Sequence, residues 1–130
     1  MRTLLPPGWP RPKGYANGIS AQGRLVLTAG VVGWNAEQKF EHHDLAGQFC
    51  QVLRNTLAIL AEGGADPQHI ARMTWYVTDL AEYRASLKEI GAAWRELIGR
   101  HYPPMAVVGV SELVEPEARI EIETIAVVEE

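Results

Sequence analysis

Cysteine is nearly missing from this chain: Cys50 stands alone among 130 residues, so no internal disulfide can form, a usage that fits a reducing cytoplasm. Long apolar runs are missing as well. The longest span only a few residues, as at 105–108, far short of the roughly 20 needed to cross a bilayer as a helix. There is no excess of positive charge either. Twelve Lys+Arg against sixteen Asp+Glu leave a formal charge of −4, which offers no summed field for collecting the phosphates of a nucleic acid. Residues 1–13 (MRTLLPPGWPRPK) carry four prolines and lack the apolar stretch of about 7 to 15 residues of a secretory signal. The expected location is therefore the cytoplasm.

What is present is material for one core. With 47% hydrophobic and 22% charged residues, and with no repeat, low-complexity tract or linker, the chain reads as a single domain over 1–130, preceded only by an extended arm at 1–13. Residues 16–22 and 24–33 read as a hairpin turned at Gly23, with Leu25, Val26, Leu27 and Val31 giving strand character. From Asp44, a suitable N-cap, apolar residues recur at three- and four-residue spacing through Leu60 until Gly63-Gly64 ends a helix. Residues 69–78 read as a strand. Asp79 with Glu82 then opens a second helix whose stripe is Leu80, Tyr83, Leu87, Ile90, Trp94 and Leu97, closed by Gly99 and Pro103. Strands at 105–113 and 118–128 finish the order ββαβαββ.

Helices placed as crossovers between strands imply parallel neighbours and right-handed connections, hence an α+β, two-layer domain with both helices on one face of a mixed sheet. The other sheet face should then be polar. Yet 24–32 and 105–110 carry aliphatic residues at consecutive positions, which places some on each face. With only two helices in the chain, the economical cover for the second face is another copy of the same chain, which predicts a homo-oligomer.

Several residues are candidates for chemistry. Alternation along the last strand puts Glu121 and Glu123 on one side, about 7 Å apart, away from Ile120 and Ile122. Partly buried in an interface, such a carboxylate suits proton transfer; a solvated edge or a salt bridge to Arg24, Arg72 or Arg119 is the plain alternative. The four histidines, His42, His43, His69 and His101, have no metal-ligand spacing, and no CxxC exists, so neither a metal nor a cofactor is expected. Cys50 lacks an adjacent cation or base and reads as a core or interface thiol. Gly30 could admit a ligand close to the backbone, and Trp34, just beyond a strand, could wall a pocket.

The lead-in GYANGI, the strand RLVLTAG, the helix LAGQFCQVLRNTLAILAEGGA, the segment RMTWYVTDLAEY and the ending HYPPMAVVGVSELVEPEARIEIETIAVVEE together resemble the Rid family, also called YjgF/YER057c/UK114 or endoribonuclease L-PSP, from about Gly14 to Val128. The resemblance implies a chorismate-mutase-like subunit, a homotrimer with clefts between subunits, and cofactor-independent hydrolysis of enamines and imines to a keto product and ammonia. It makes Glu121 the proton-handling residue and places Tyr15, Gly30, Trp34, Leu87, Met105 and Val107 around the substrate. At Met105 the family carries an arginine that clamps a carboxylate in bidentate fashion. Methionine offers neither charge nor donor, so the expected substrate is a small metabolite other than the usual 2-imino acid. Leu87 stands where a polar residue is usual, and Val107 where a small or thiol residue is usual. The alternative reading is a non-catalytic trimer that binds a metabolite or a protein partner; a ribonuclease role ranks last on the acidic balance. Neither nucleic acid nor membrane is expected as a partner.

Overall fold

A computed structural model describes all 130 residues. Its centre is β7 (Ile120–Val128), where alternation turns Ile120, Ile122 and Thr124 inward. On one side β7 pairs antiparallel with β5 (Ile70–Val77), which in turn pairs parallel with β6 (Met105–Gly109). On the other side it pairs with both β3 (Arg24–Leu27) and β4 (Val31–Val32). The architecture is α+β, with the helices over one face of this mixed sheet.

The first helix, α1 (Leu45–Glu62), begins where expected. Asp44 accepts a hydrogen bond from the Gly47 N–H, and Gly63 ends the helix. Its buried face, including Leu45, Phe49, Val52, Leu53 and Leu60, packs with Met73, Trp75, Val77, Ile120 and Ile122 in one core. Asp79 likewise caps α2 (Leu80–Ala85) by accepting from the Glu82 N–H. Glu82 does not close the capping box; its carboxylate instead accepts from the Leu45 N–H and from Arg119 at 2.8 Å. That choice ties both helix starts to the strand that follows Arg119. The buried Gln48 amide does similar work, donating to the carbonyls of His42 and Glu117 and accepting from the Arg119 N–H at 2.7 Å. The Gln48 side chain is fully buried, where a polar group left unpaired costs about 1–3 kcal/mol.

The structure corrects several boundaries. There is no 16–22/24–33 hairpin: β2 (Gly18–Ser20) pairs with β1 (Arg2–Leu4), so part of the 1–13 arm is a strand in a ribbon of its own. Residues 24–33 form two strands, because the chain leaves the sheet at 28–30 and rejoins it at β4. The second helix breaks at Ser86, which ends α2 and opens α3 (Leu87–Leu97). The Ser86 side chain makes no capping bond there; its backbone N–H donates to the Tyr83 carbonyl and closes α2. The penultimate strand stops at Gly109 and the last begins at Ile120. Only the second crossover joins neighbours: β4 and β5 run parallel but lie on either side of β7.

The open sheet face is apolar where β3 meets β7, as the consecutive aliphatics require, and polar farther along β7, where Glu121 and Glu123 lie. Register places Leu25 and Leu27 opposite Val127 and Ile125. Leu25 is 61% and Leu27 60% exposed, and Ile125 and Val108 are each 40% exposed. No helix of the chain is long and apolar enough to cross a membrane.

Candidate functional site

The residues singled out from sequence fall into two groups on opposite sides of the sheet. The first group lines a cavity of about 470 Å³ beneath α3, containing Tyr15, Leu87, Met105 and Val107. Tyr15 reaches it because the Ala16 N–H donates to the Pro103 carbonyl and holds the lead-in against the start of β6. Met105 and Val107 lie on the helix side of that strand, packed against the core. Much of the remaining wall is aromatic, beside Ile90 and the exposed Lys13 and Arg95. Phe49 and Trp75 meet at 4.9 Å, Trp75 and Trp94 at 6.1 Å, and Trp94 stacks on Tyr102 at 6.5 Å, so a row of rings runs from the core to the cavity. Tyr83 joins this wall, and burial raises its phenol pKa, keeping the hydroxyl protonated.

The second group belongs to the open face and to the β4 end. Glu121 is half-buried and opposite Tyr76 in β5 and Val32 in β4. A Cβ at Gly30 would lie 2.8 Å from the Glu121 Cδ, so the missing side chain is what lets this carboxylate lie over the backbone. Trp34 shares a surface hollow with Gly30, tilts against Phe40 at 5.9 Å, and has its carbonyl held by the Asn55 amide at 2.8 Å. The row Val107, Trp75, Ile122 faces the helices, whereas the next row, Val108, Tyr76, Glu121, faces away from them. Within one chain, therefore, the sheet itself separates Glu121 from the cavity of Met105 and Val107.

The glutamates do not pair with the arginines considered for them. Arg24 pairs with Glu130 and Arg119 with Glu82. Glu123 instead accepts a 2.7 Å hydrogen bond from the Tyr76 hydroxyl, a residue that sequence reading had not singled out. Strand pairing alone reveals it, since Tyr76 lies opposite Glu121 and one step from Glu123. The Tyr76 pKa rises above its ordinary 10.0, first through this bond, then through desolvation and the charges of Glu123 and Glu121. The bond's contribution to the fold is thus complete below the ordinary value and is lost as pH climbs through the raised one. Glu123→Gln should return the Tyr76 phenol toward 10.0, read as the difference in tyrosinate absorbance between the two proteins. Superimposable titrations would contradict the assignment.

The histidines have structural work or none. His69 Nδ1 accepts from the Asp66 N–H, His101 Nε2 lies 2.6 Å from the Ile70 carbonyl, and His42 and His43 are exposed. No group of three or more His, Cys, Asp or Glu side chains gathers anywhere in the chain. Cys50 is free and half-buried on α1.

Comparison with known proteins bears on this arrangement. The family model described as endoribonuclease L-PSP matches residues 10–128. A RutC family protein of Aquifex aeolicus is 32% identical over 128 residues, which cover 98% of this chain and 99% of that protein. Among solved structures, a Rid-family protein of unknown function from Yersinia pestis superposes with a TM-score of 0.85 at 30% identity, covering 98% of each chain. A YjgF/YER057c/UK114 member from Mycobacterium tuberculosis superposes with a TM-score of 0.67 at 30% identity, covering 89% of this chain and 88% of that one.

Proposed function

Since this chain belongs to the endoribonuclease L-PSP family, known also as Rid and YjgF, we propose that it is a homotrimer that hydrolyses an enamine or imine. Each cleft takes the Glu121 face from one subunit and the Tyr15 cavity from the next. The observation that carries this reading is the division of the candidate residues by the sheet: neither half holds both the Glu121 carboxylate and the cavity of Met105 and Val107. The exposed Leu25, Leu27 and Ile125 support it, because a face of this kind is stable in water when a second copy covers it.

The chemistry needs little machinery. An enamine takes a proton at carbon to become the iminium ion; water adds to the C=N carbon and gives up one proton; the resulting carbinolamine, protonated on nitrogen, loses ammonia as its hydroxyl releases the remaining proton and leaves a carbonyl. Glu121 takes the proton from the attacking water and returns it to the departing nitrogen. Tyr15 and Trp34 shape the space, with Gly30 leaving room for the carboxylate. Leu87, Met105 and Val107 make the substrate side apolar, and Met105 cannot clamp a carboxylate. The same feature favours the second reading, a binding trimer without catalysis. A ribonuclease role remains the poorest fit to a chain of charge −4.

The test is ammonia and keto-product formation from freshly generated 2-aminoacrylate and a panel of other enamines, against the spontaneous rate. Acceleration that Glu121→Ala removes supports the hydrolase. No acceleration on any member favours the binding trimer instead.

A further inference from the structure

Tyr76 and Glu123 share the open face with Glu121, and hydrolysis as described uses neither. Pairing of β5 with β7 sets Tyr76 opposite Glu121 and Thr74 opposite Glu123, all four on the side away from the helices. The Tyr76 hydroxyl does not turn to its direct neighbour. It crosses the diagonal of the ladder and donates to Glu123 at 2.7 Å, a reach that an aromatic side chain has across an antiparallel pair.

The two carboxylates, about 7 Å apart along one strand, are therefore unlike. Glu121 lies over Gly30 and enters none of the ion pairs, so it is free to take up and release a proton. Glu123 is tied to a donor that holds it in one place. The phenol, with its pKa above the ordinary 10.0, keeps its proton and goes on donating throughout the neutral range. No internal cation neutralises either carboxylate; Arg72, which β5 carries on the same face, is exposed and pairs with neither. Carboxylates in unlike surroundings can divide the work, one exchanging protons and the other holding a charge.

The chemistry has a place for that second role. The iminium ion carries a positive charge that the enamine lacks, and a negative charge already fixed beside it stabilises it without reorganisation. The fold makes no other demand on the Tyr76 hydroxyl, whose bond within the chain is to Glu123. A phenyl ring alone would fill the same half-buried position.

We propose that Glu123 is a second functional carboxylate of the cleft, a fixed negative charge facing the iminium ion, and that Tyr76 is the residue that positions it. Glu123 exchanges no proton in this scheme; Glu121 does. The inference rests on reading the Glu121 face as one half of the cleft.

The test compares the full-length protein with Glu123→Gln, Tyr76→Phe and the double variant, using the best enamine of the panel. Glu123→Gln should lower kcat about tenfold or more and leave KM nearly unchanged, because the cation forms only after binding. Tyr76→Phe should lower kcat by a smaller factor, about three- to tenfold, the worth of a hydrogen bond to a charged group. Since Tyr76 acts through Glu123, the double variant should be no slower than Glu123→Gln alone. Thermal melting and sedimentation verify that each variant folds and assembles as the unaltered protein does. In parallel, calorimetry compares benzamidine, a planar cation at neutral pH, with neutral benzamide. Benzamidine should bind about tenfold tighter, and Glu123→Gln should remove that preference. A kcat unchanged by Glu123→Gln, an effect confined to KM, or a double variant slowed by the product of the single factors would overturn the assignment. Hydrolysis that is indifferent to Glu123→Gln overturns this inference and leaves the hydrolase standing. A benzamidine preference that Glu123→Gln abolishes, without hydrolysis of any enamine, overturns the hydrolase and leaves the fixed charge standing.

Discussion

Glu121→Ala should lower ammonia release from an accepted enamine or imine by about 10²- to 10⁴-fold, the usual contribution of a positioned acid-base group, while leaving the melting temperature nearly unchanged. The expected loss follows from where the carboxylate lies. It sits over Gly30 on the open sheet face, and none of the chain's ion pairs engages it, so the carboxylate is not committed to an internal cation. Glu121→Gln is the sharper variant. It keeps the shape and the hydrogen-bonding capacity but cannot take a proton from water, so its rate should fall with that of the alanine variant. If the glutamine protein keeps most of the activity, Glu121 positions water and some other group carries the proton. A rate unchanged by either substitution removes Glu121 from the mechanism.

Leu27→Arg should convert the proposed trimer to a species of 14.4 kDa in sedimentation at micromolar concentration, where a trimer of the unaltered protein would run at three times that mass. Leu27 is 60% exposed in one chain and stands on the edge strand β3 opposite Ile125, in the apolar part of the open face. Burying a leucine contributes about 1.5–3 kcal/mol. The substitution loses that contribution in every subunit and forces a guanidinium into an apolar contact, at a cost of several kcal/mol more. Within the chain, the side chain points to solvent, so the monomer should melt normally. A monomeric unaltered protein would dispose of the assembly; an unchanged trimer of the variant would show that another surface holds it together.

Legibility in the sequence tracked the range of the interaction. The first helix could be read because its signals are local: Asp44 as cap, apolar residues at three- and four-residue spacing, and Gly63 as stop. The break at Ser86 could not, because the apolar stripe from Leu80 to Leu97 runs through it without interruption. Pairing of β2 with β1 is set by a contact across a proline-rich loop, and no periodicity announces such a partner. The apolar character of both sheet faces was legible from consecutive aliphatics, and the exposure of Leu25, Leu27 and Val108 agrees with it.

The site followed the same rule. Alternation alone put Glu121 and Glu123 on one face, and the turn residues brought Gly30 into consideration. That Met105 and Val107 face the opposite side of the sheet depends on strand order and register, which the sequence does not spell out. Tyr83, Trp94 and Leu87 were visible as one helical stripe, and only the family resemblance set Leu87 beside the substrate. In the structure Trp94 is buried, but Leu87 is 52% exposed and the stripe walls a cavity.

The most direct test of the two-subunit cleft is complementation. Glu121→Ala disables one half of a cleft, and Leu87→Trp fills the other half from an exposed position that the fold tolerates. The two variants are unfolded, mixed in equal amounts and refolded together, and ammonia release is compared with that of each variant refolded alone. Random mixing leaves about a quarter of the clefts with both halves intact, so the mixture should recover about a quarter of the unaltered rate. A mixture as inactive as its two components would place the whole site within one chain and contradict the account.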